Sequence, residues 1–124
     1  MQRPVAAAAS ENAVITKATL RAADLLEITA RTLAQVIGVS EATVSRMRKQ
    51  EFQLERGTKP FELAVLFVRL FRSLDAVVGG DENVARAWLK NPNTVFDGSP
   101  LEKILTIAGL VDVIAYLDSR RALV

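Results

Sequence analysis

The sequence contains no cysteine and no histidine, and these two absences exclude most familiar kinds of catalytic site. Without cysteine there is no disulfide, no thiolate nucleophile and no zinc-thiolate site. Without histidine the chain lacks the commonest general base and the commonest metal ligand. Neither a pair of carboxylates on an apolar face nor a glycine-rich phosphate loop is apparent. We therefore expect a protein that is not an enzyme, with no catalytic residues, cofactor or metal site.

Aromatic residues are scarce, with one Trp, one Tyr and five Phe among 124 residues, although half of the residues are hydrophobic. A chain rich in Ala, Leu and Val with scattered charges is typical of an all-α fold. No segment approaches the roughly 18 apolar residues of a membrane span. The apolar stretch near the start is too short and too weakly hydrophobic for a secretory signal. We expect a cytoplasmic protein without a membrane partner.

The formal net charge is only +2, but the charges are divided unevenly along the chain. Residues 1–60 carry nine Lys and Arg against six Asp and Glu, a net charge of +3. Residues 61–124 carry seven against eight, a net charge of −1. A basic excess favours contact with nucleic acid, but an excess this small indicates that a homodimer or larger assembly would bind DNA, rather than a single chain.

The basic half contains a DNA-binding motif, TLAQVIGVSEATVSRMRK, over residues 32–49. Small Ala34 lets a second helix approach, Gly38 reaches the positive φ that ends the first helix, and Ser40 caps the second. The pattern resembles the helix-turn-helix of bacterial transcriptional regulators, although such units also serve as plain packing modules. Its outward face is short, polar and cationic, as a helix entering the major groove must be. The predicted DNA-binding residues are Ser40, Glu41, Thr43, Ser45, Arg46, Arg48 and Lys49, the last two at phosphates.

Composition divides the chain into three predicted regions. Residues 1–13 have low complexity and are predicted to be disordered, and residues 14–59 to form the helix-turn-helix region. Residues 60–124 are predicted to form a second helical region. Its first helix, over residues 61–78, is apolar around most of its circumference, so we expect it to be central or to bury outward residues such as Val68 in a partner chain.

Two further predictions concern individual helices of the second region. The short helix after the Gly-Gly pair is predicted to have Val84, Ala87 and Trp88 on its apolar side. Gly109 is predicted to interrupt the helical pattern, so that the last helix begins at Leu110.

The second region also carries an ordered set of residues that is more specific than any one of its members. These are Ala87-Trp88-Leu89, Asn91-Pro92-Asn93, Gly98-Ser99-Pro100-Leu101, Gly109 and Val113. This order resembles the toxin-binding domain of the Xre/MbcA/ParS antitoxin family. In that family a helix-turn-helix half precedes the domain, as it does here, so the resemblance covers about residues 15–124. It implies a helix-turn-helix-containing helical domain followed by a compact helical domain that binds a toxin and dimerises.

The resemblance also implies a function, that of the antitoxin in a type II toxin-antitoxin system. The partner would be a RES-domain toxin that attacks NAD, or an ADP-ribosylating toxin, with its active site occluded by the C-terminal end of the antitoxin. A homodimer would also bind operator DNA and repress its own operon. The alternative is a stand-alone regulator whose C-terminal half only dimerises. The residues that the resemblance assigns to toxin binding are Asp118, Ser119, Arg120, Arg121, Ala122, Leu123 and Val124.

Overall fold

The computed structural model describes the backbone of residues 5–122 and the side chains of residues 10–122. Within that range the chain forms seven helices and no strand, with one isolated bridge between Asn93 and Gly98. The predicted all-α fold is confirmed. The helices are α1 (Val5–Leu25), α2 (Ala30–Ile37), α3 (Glu41–Arg48), α4 (Lys59–Val77), α5 (Glu82–Lys90), α6 (Pro100–Lys103) and α7 (Ile107–Arg121).

Side-chain caps decide where six of these helices begin. In each case an oxygen of the capping side chain accepts a hydrogen bond from the backbone N–H three residues further on, which satisfies one of the free donors of the first turn. Both α4 and α6 also have a proline in the first turn, where its missing N–H removes no helical hydrogen bond. The capping residues are Thr29, Ser40, Thr58, Asp81, Ser99 and Thr106.

Helix α4 lies at the centre of the fold and packs against α1, α2, α5 and α7. Its Phe67, Leu70 and Leu74 side chains are fully buried, and burial of each contributes about 1.5–3 kcal/mol. Val68, which we expected to face outward, is also buried. Most of the apolar circumference of α4 is therefore covered by helices of the same chain, and Val65 is its exposed large apolar residue.

Helix α1 begins at Val5, so the predicted disorder over residues 1–13 is wrong from that residue onward. The order has a tertiary cause. Asn12 Oδ1 accepts a hydrogen bond from the backbone N–H of Arg56 at 3.0 Å, and one turn further on the hydroxyl oxygen of Thr16 accepts one from the backbone N–H of buried Leu54 at 2.9 Å. These bonds fasten α1 to the segment between α3 and α4. A contact between residues so far apart in sequence leaves no trace in local composition. Residues 1–4 lie outside the described residues.

Gly109 lies inside α7 and does not interrupt it, so the prediction of a break there is wrong. The break falls at residues 104–106, and Thr106 caps α7 by accepting a hydrogen bond from the Gly109 N–H at 3.1 Å. The glycine is needed for close approach, because a Cβ at this position would lie 1.9 Å from the carbonyl oxygen of Lys103. Gly109 therefore sets the angle between α6 and α7.

The inward face of α5 also differs from the prediction. Val84 and Ala87 are exposed, whereas Ala85 and Leu89 are buried and Trp88 is half-buried beside them. Residues 85, 88 and 89 also have helical spacing, so periodicity alone permits either face. The contacts of α5 with α4 and α6 select the observed one.

Candidate functional site

The turn between α2 and α3 has the backbone geometry that the motif predicts. Gly38 has φ 73° and ψ 39°, in the left-handed region, and the next N–H, that of Val39, donates to the carbonyl of Ala34 at 3.0 Å. The Ser40 hydroxyl oxygen accepts the Thr43 backbone N–H at 3.1 Å. The inward residues Val44 and Met47 are buried in the core. Helix α3 is thus held by one face, and its other face lies at the surface.

The outward face of α3 presents hydroxyl groups and a guanidinium in a connected arrangement. The Thr43 hydroxyl lies 3.0 Å from the Ser40 hydroxyl and accepts a hydrogen bond from Arg46 Nη2 at 3.1 Å. These bonds run along one side of α3 and orient the Arg46 guanidinium. The other exposed members of the predicted set on this face are Glu41, Ser45 and Lys49. Such a surface has the donors that base edges and phosphates accept.

Arg48 is not directed with the other cations of α3. Its Nη2 donates to Asp24 Oδ1 at 2.8 Å and its Nη1 donates to Asp24 Oδ2 at 3.3 Å. This bidentate ion pair joins the end of α3 to α1 and places a negative charge beside the guanidinium. The structure therefore gives Arg48 a contact within the chain and does not bring it together with Arg46 and Lys49.

Two cations near α3 were missed by the sequence reasoning. Lys17 and Arg21 lie one turn apart on α1 and line a surface cleft of about 450 Å³ together with Asp24 and Arg48. Their four-residue spacing is visible in the sequence, but their position beside α3 depends on how α1 packs. Two further cations on α1 therefore lie beside the Arg48–Asp24 ion pair.

In the second half of the chain, α5, α7 and the loop after α5 meet in an aromatic cluster. The rings of Trp88 and Tyr116 stack with centroids 6.1 Å apart and an interplanar angle of 11°, and Phe96 meets both rings edge-on. The Arg120 guanidinium carbon lies 5.4 Å from the centre of the Tyr116 ring, and Arg120 Nε donates to the Tyr116 hydroxyl at 3.1 Å. The exposed end of α7 is thus held against the rings of this aromatic cluster.

Asp118 and Arg121, two of the predicted toxin-binding residues, are turned toward α4. Asp118 accepts hydrogen bonds from the Ser73 hydroxyl at 2.7 Å and from Arg69, and Arg121 Nη1 donates to the Ser73 oxygen at 3.2 Å. The pKa of the Asp118 carboxyl is lowered, chiefly by the hydrogen bond from Ser73 and further by the positive charges of Arg69 and Arg121. Partial burial acts in the opposite direction and raises it. This network fastens the end of α7 to α4.

Of the other predicted toxin-binding residues, the three that the structure describes have no such tie to α4. Ser119, Arg120 and Ala122 are exposed at the end of α7. The Ser119 hydroxyl donates to the carbonyl of Tyr116 at 2.7 Å, within the helix. Leu123 and Val124 lie outside the described residues.

In the part of the chain that the structure describes, no group of three or more acidic side chains could hold a metal ion. No helix there is both long enough and apolar enough to cross a membrane.

The fold and its two surfaces define an all-helical protein in which a helix-turn-helix is joined to a second helical domain. The model of the antitoxin Xre-like helix-turn-helix domain matches residues 5–69, and that of the antitoxin Xre/MbcA/ParS C-terminal toxin-binding domain matches residues 73–122. The chain belongs to the Xre/MbcA/ParS antitoxin family, and the resemblance seen in the sequence is confirmed. The two matched ranges meet within α4. A comparison with curated protein sequences gives no match.

Proposed function

We propose that this chain is the antitoxin of a type II toxin-antitoxin system, which neutralises a toxin through its C-terminal domain and represses its own operon through α3. The observation that carries the proposal is the presence of both family domains, in this order, in one chain. In this role the protein acts by binding in the cytoplasm and catalyses no reaction.

The exposed face of α3 supports the DNA-binding part of the proposal. Arg46, whose guanidinium bonds to Thr43, would donate to a base edge, and Ser45 is exposed on the same outward side. Lys49 would contact a phosphate. Arg48, paired with Asp24, would act mainly by holding α3 in place. Ser40 and Glu41 would lie at the N-terminal end of α3, beside the DNA backbone.

A homodimer whose interface includes α4 remains part of the proposal, with Val65 rather than Val68 as the outward residue. Val68 is buried, whereas Val65 on α4 and Val14 on α1 are 40% and 60% exposed. Both line one surface groove of about 430 Å³, with Ile15 and Phe61 between them. We place the contact between two copies at this groove, which would present two α3 helices to two operator half-sites.

For the toxin, we propose a RES-domain protein or a related NAD-targeting enzyme, including the ADP-ribosylating type, whose active site is occluded by residues 118–124. The exposure of Ser119, Arg120 and Ala122 supports this segment as the point of contact. Arg120 is the charged anchor of the proposal, because its planar guanidinium can bond carboxylates or carbonyls in the toxin cleft. Asp118 and Arg121 would position the segment through their contacts with α4.

The toxin-binding proposal is tested with the gene adjacent to that of this chain, which the proposal predicts to encode the toxin. That gene is expected to arrest growth when it is expressed alone, and co-expression of the wild-type chain is expected to relieve the arrest. A chain with Arg120→Ala and without residues 122–124 is expected to lose this protection, whereas Lys90→Ala, which changes another exposed cation of the same domain, is expected to keep it. Full protection by the shortened variant would move the contact away from the end of α7. Absence of protection by the wild type would overturn the antitoxin role.

The proposed toxin chemistry is tested in the same cells. When the adjacent gene is expressed alone, the cellular NAD concentration is expected to fall before growth stops, or proteins are expected to become ADP-ribosylated. An arrest with constant NAD and no ADP-ribosylation would contradict both of the proposed toxin types.

A further inference from the structure

Helix α7 is apolar on two adjacent sides, one buried and one exposed. Its inward side is buried in the core through Leu110, Val113, Ile114 and Leu117. On the outward side Ile107 and Val111 are 62% and 48% exposed. Three alanines lie beside them, also exposed, namely Ala108, Ala115 and Ala122.

These outward residues form one continuous face. At about 3.6 residues per turn, Ile107, Val111 and the three alanines fall within an arc of roughly 100°. The only other residue of that arc is Asp118, whose carboxylate is turned to Ser73 and Arg69 on α4. An exposed helix face ordinarily carries polar and charged residues. The apolar character of this face therefore calls for a covering partner, and its alanines leave room for close approach.

The toxin is the occupant that the neighbouring observations favour. The whole face lies within residues 73–122, which match the family's toxin-binding domain. At its C-terminal end the face continues into Ser119 and Ala122 of the proposed blocking segment. A partner that covered the face would therefore also reach the end of α7.

The charge at the edge of the face argues against a second copy of the chain. Asp112 is exposed beside the middle of the face, and among the described residues it has no ion pair. Two copies of α7 packed antiparallel across this point would bring their Asp112 carboxylates together on one edge, which is unfavourable. A toxin surface with an apolar centre and a Lys or Arg opposite Asp112 has no such conflict.

From these observations we infer that the outward face of α7, from Ile107 to Ala122, is the main docking surface for the toxin. The inference rests on the proposed antitoxin function and deepens it. Docking along α7 supplies the apolar contact area, and the end of the helix is thereby placed at the active site. The blocking segment then needs only a few contacts of its own, because the docked helix has already positioned it.

The test compares two valines of the same matched domain that have equal exposure, Val111 on α7 and Val84 on α5, both 48% exposed. The probe is a catalytically inactive form of the toxin from the adjacent gene, titrated with the full chain in a calorimeter. Val111→Asp is expected to weaken binding by about tenfold or more, whereas Val84→Asp is expected to leave it within about twofold of the wild type. Asp112→Lys is expected to weaken binding through repulsion of a basic partner.

Ala115→Arg is the second variant. It puts a long side chain where the small alanine leaves room for close approach, so it is also expected to weaken binding, and arginine is a good helix former. Unchanged operator binding and circular dichroism show that each variant is folded. The docking surface is overturned if Val111→Asp and Val84→Asp weaken binding equally. It is also overturned if both Val111→Asp and Ala115→Arg bind the probe like the wild type. In either case the proposed antitoxin function would still stand. A Val111→Asp chain that changes from dimer to monomer in light scattering assigns the face to a second copy and also overturns it. If the wild type does not bind the probe, the proposed function fails and the inference fails with it.

Discussion

Gly109 and Asp118 are the residues of α7 whose surroundings most constrain how the last helix lies. Gly109 lies against the backbone of Lys103 at the end of α6. Asp118 is bonded to Ser73 and Arg69 of α4. One residue therefore fixes the start of the helix by close approach, and the other fixes its end by charge and hydrogen bonding.

Gly109→Ala is expected to be strongly destabilising. Its Cβ would lie 1.9 Å from the Lys103 carbonyl oxygen, a backbone atom that moves only if α6 moves. We expect the free energy of unfolding in urea to fall by about 3 kcal/mol. If the glycine were merely a poor helix former, the same change would raise stability by about 1 kcal/mol. The sign of the change in unfolding free energy therefore distinguishes the two explanations. Ala108→Gly, one residue earlier on the exposed face, is the control and is expected to cost about 1 kcal/mol.

Asp118→Asn is expected to change how stability depends on pH. The pKa of Asp118 in the folded chain is below its ordinary value of 3.8, so its carboxylate stabilises the fold at neutral pH. That contribution is lost as the pH falls from the ordinary pKa through the folded one. The wild type is therefore expected to lose more unfolding free energy between about pH 6 and about pH 2 than Asp118→Asn does. Asp112→Asn, at an exposed carboxylate, serves as the control, and equal pH slopes for wild type and Asp118→Asn would contradict the network.

Among the elements, α3 and its C-terminal cap Lys49 carry three cations with two different surroundings. Arg46 is held by Thr43 on the outward face, Lys49 is exposed beyond it, and Arg48 is paired with Asp24. Position along this short segment therefore separates the two cations proposed to contact DNA from the one that pairs within the chain, although all three side chains are cationic.

The three alanine variants of these cations are expected to differ in titrations against the operator. Arg46→Ala is expected to weaken binding by about 1–3 kcal/mol and to relax base preference. Lys49→Ala is expected to weaken binding to all sequences. It is also expected to lower the salt slope, the slope of log binding constant against log salt concentration, by about 1. Arg48→Ala is expected to retain the salt slope and to cost up to about 1 kcal/mol of stability, as an exposed ion pair does. Unchanged operator binding by the Arg46, Lys49 double variant would exclude this face.

The sequence predicts those parts of each element that depend on neighbouring residues alone. The left-handed Gly38 and the cap at Ser40 act within one turn, so their spacing is sufficient to place the helix-turn-helix. The inward side of α5 and the role of Gly109 depend on contacts with other helices, and both predictions failed. At the candidate sites, the identity of the outward cations was predictable, but the partner of Arg48 lies 24 residues away along the chain.

In the whole molecule the two halves share one core and one central helix. The family matches meet within α4, and α5 of the second half reaches the end of α1. There Arg86 Nη1 donates to the carbonyl of Leu25 at 2.9 Å and Arg86 Nε lies 3.8 Å from the Glu27 carboxylate. These contacts lie at the bend that leads into α2. The helix-turn-helix and the toxin-binding domain are therefore joined by more than a linker.

The homodimer is the prediction that concerns the molecule as an assembly. Val65→Asp places a charge in the groove between α1 and α4 and is expected to convert a dimer of the wild type into monomers. Light scattering at micromolar concentration measures this directly. Val84→Asp, another exposed valine, is the control and is expected to remain dimeric. A wild-type chain that is monomeric and well folded under these conditions would contradict the homodimer.

Binding to a cognate toxin is the property on which the proposed antitoxin role depends. It is measured by co-expression of the full chain with the adjacent gene, purification through a tag on that gene's product, and determination of the mass of what is recovered. We expect a stable complex of fixed stoichiometry that contains both proteins and has no toxic activity. Recovery of the tagged product alone, with its toxicity unchanged in the presence of the chain, would rule out the antitoxin role.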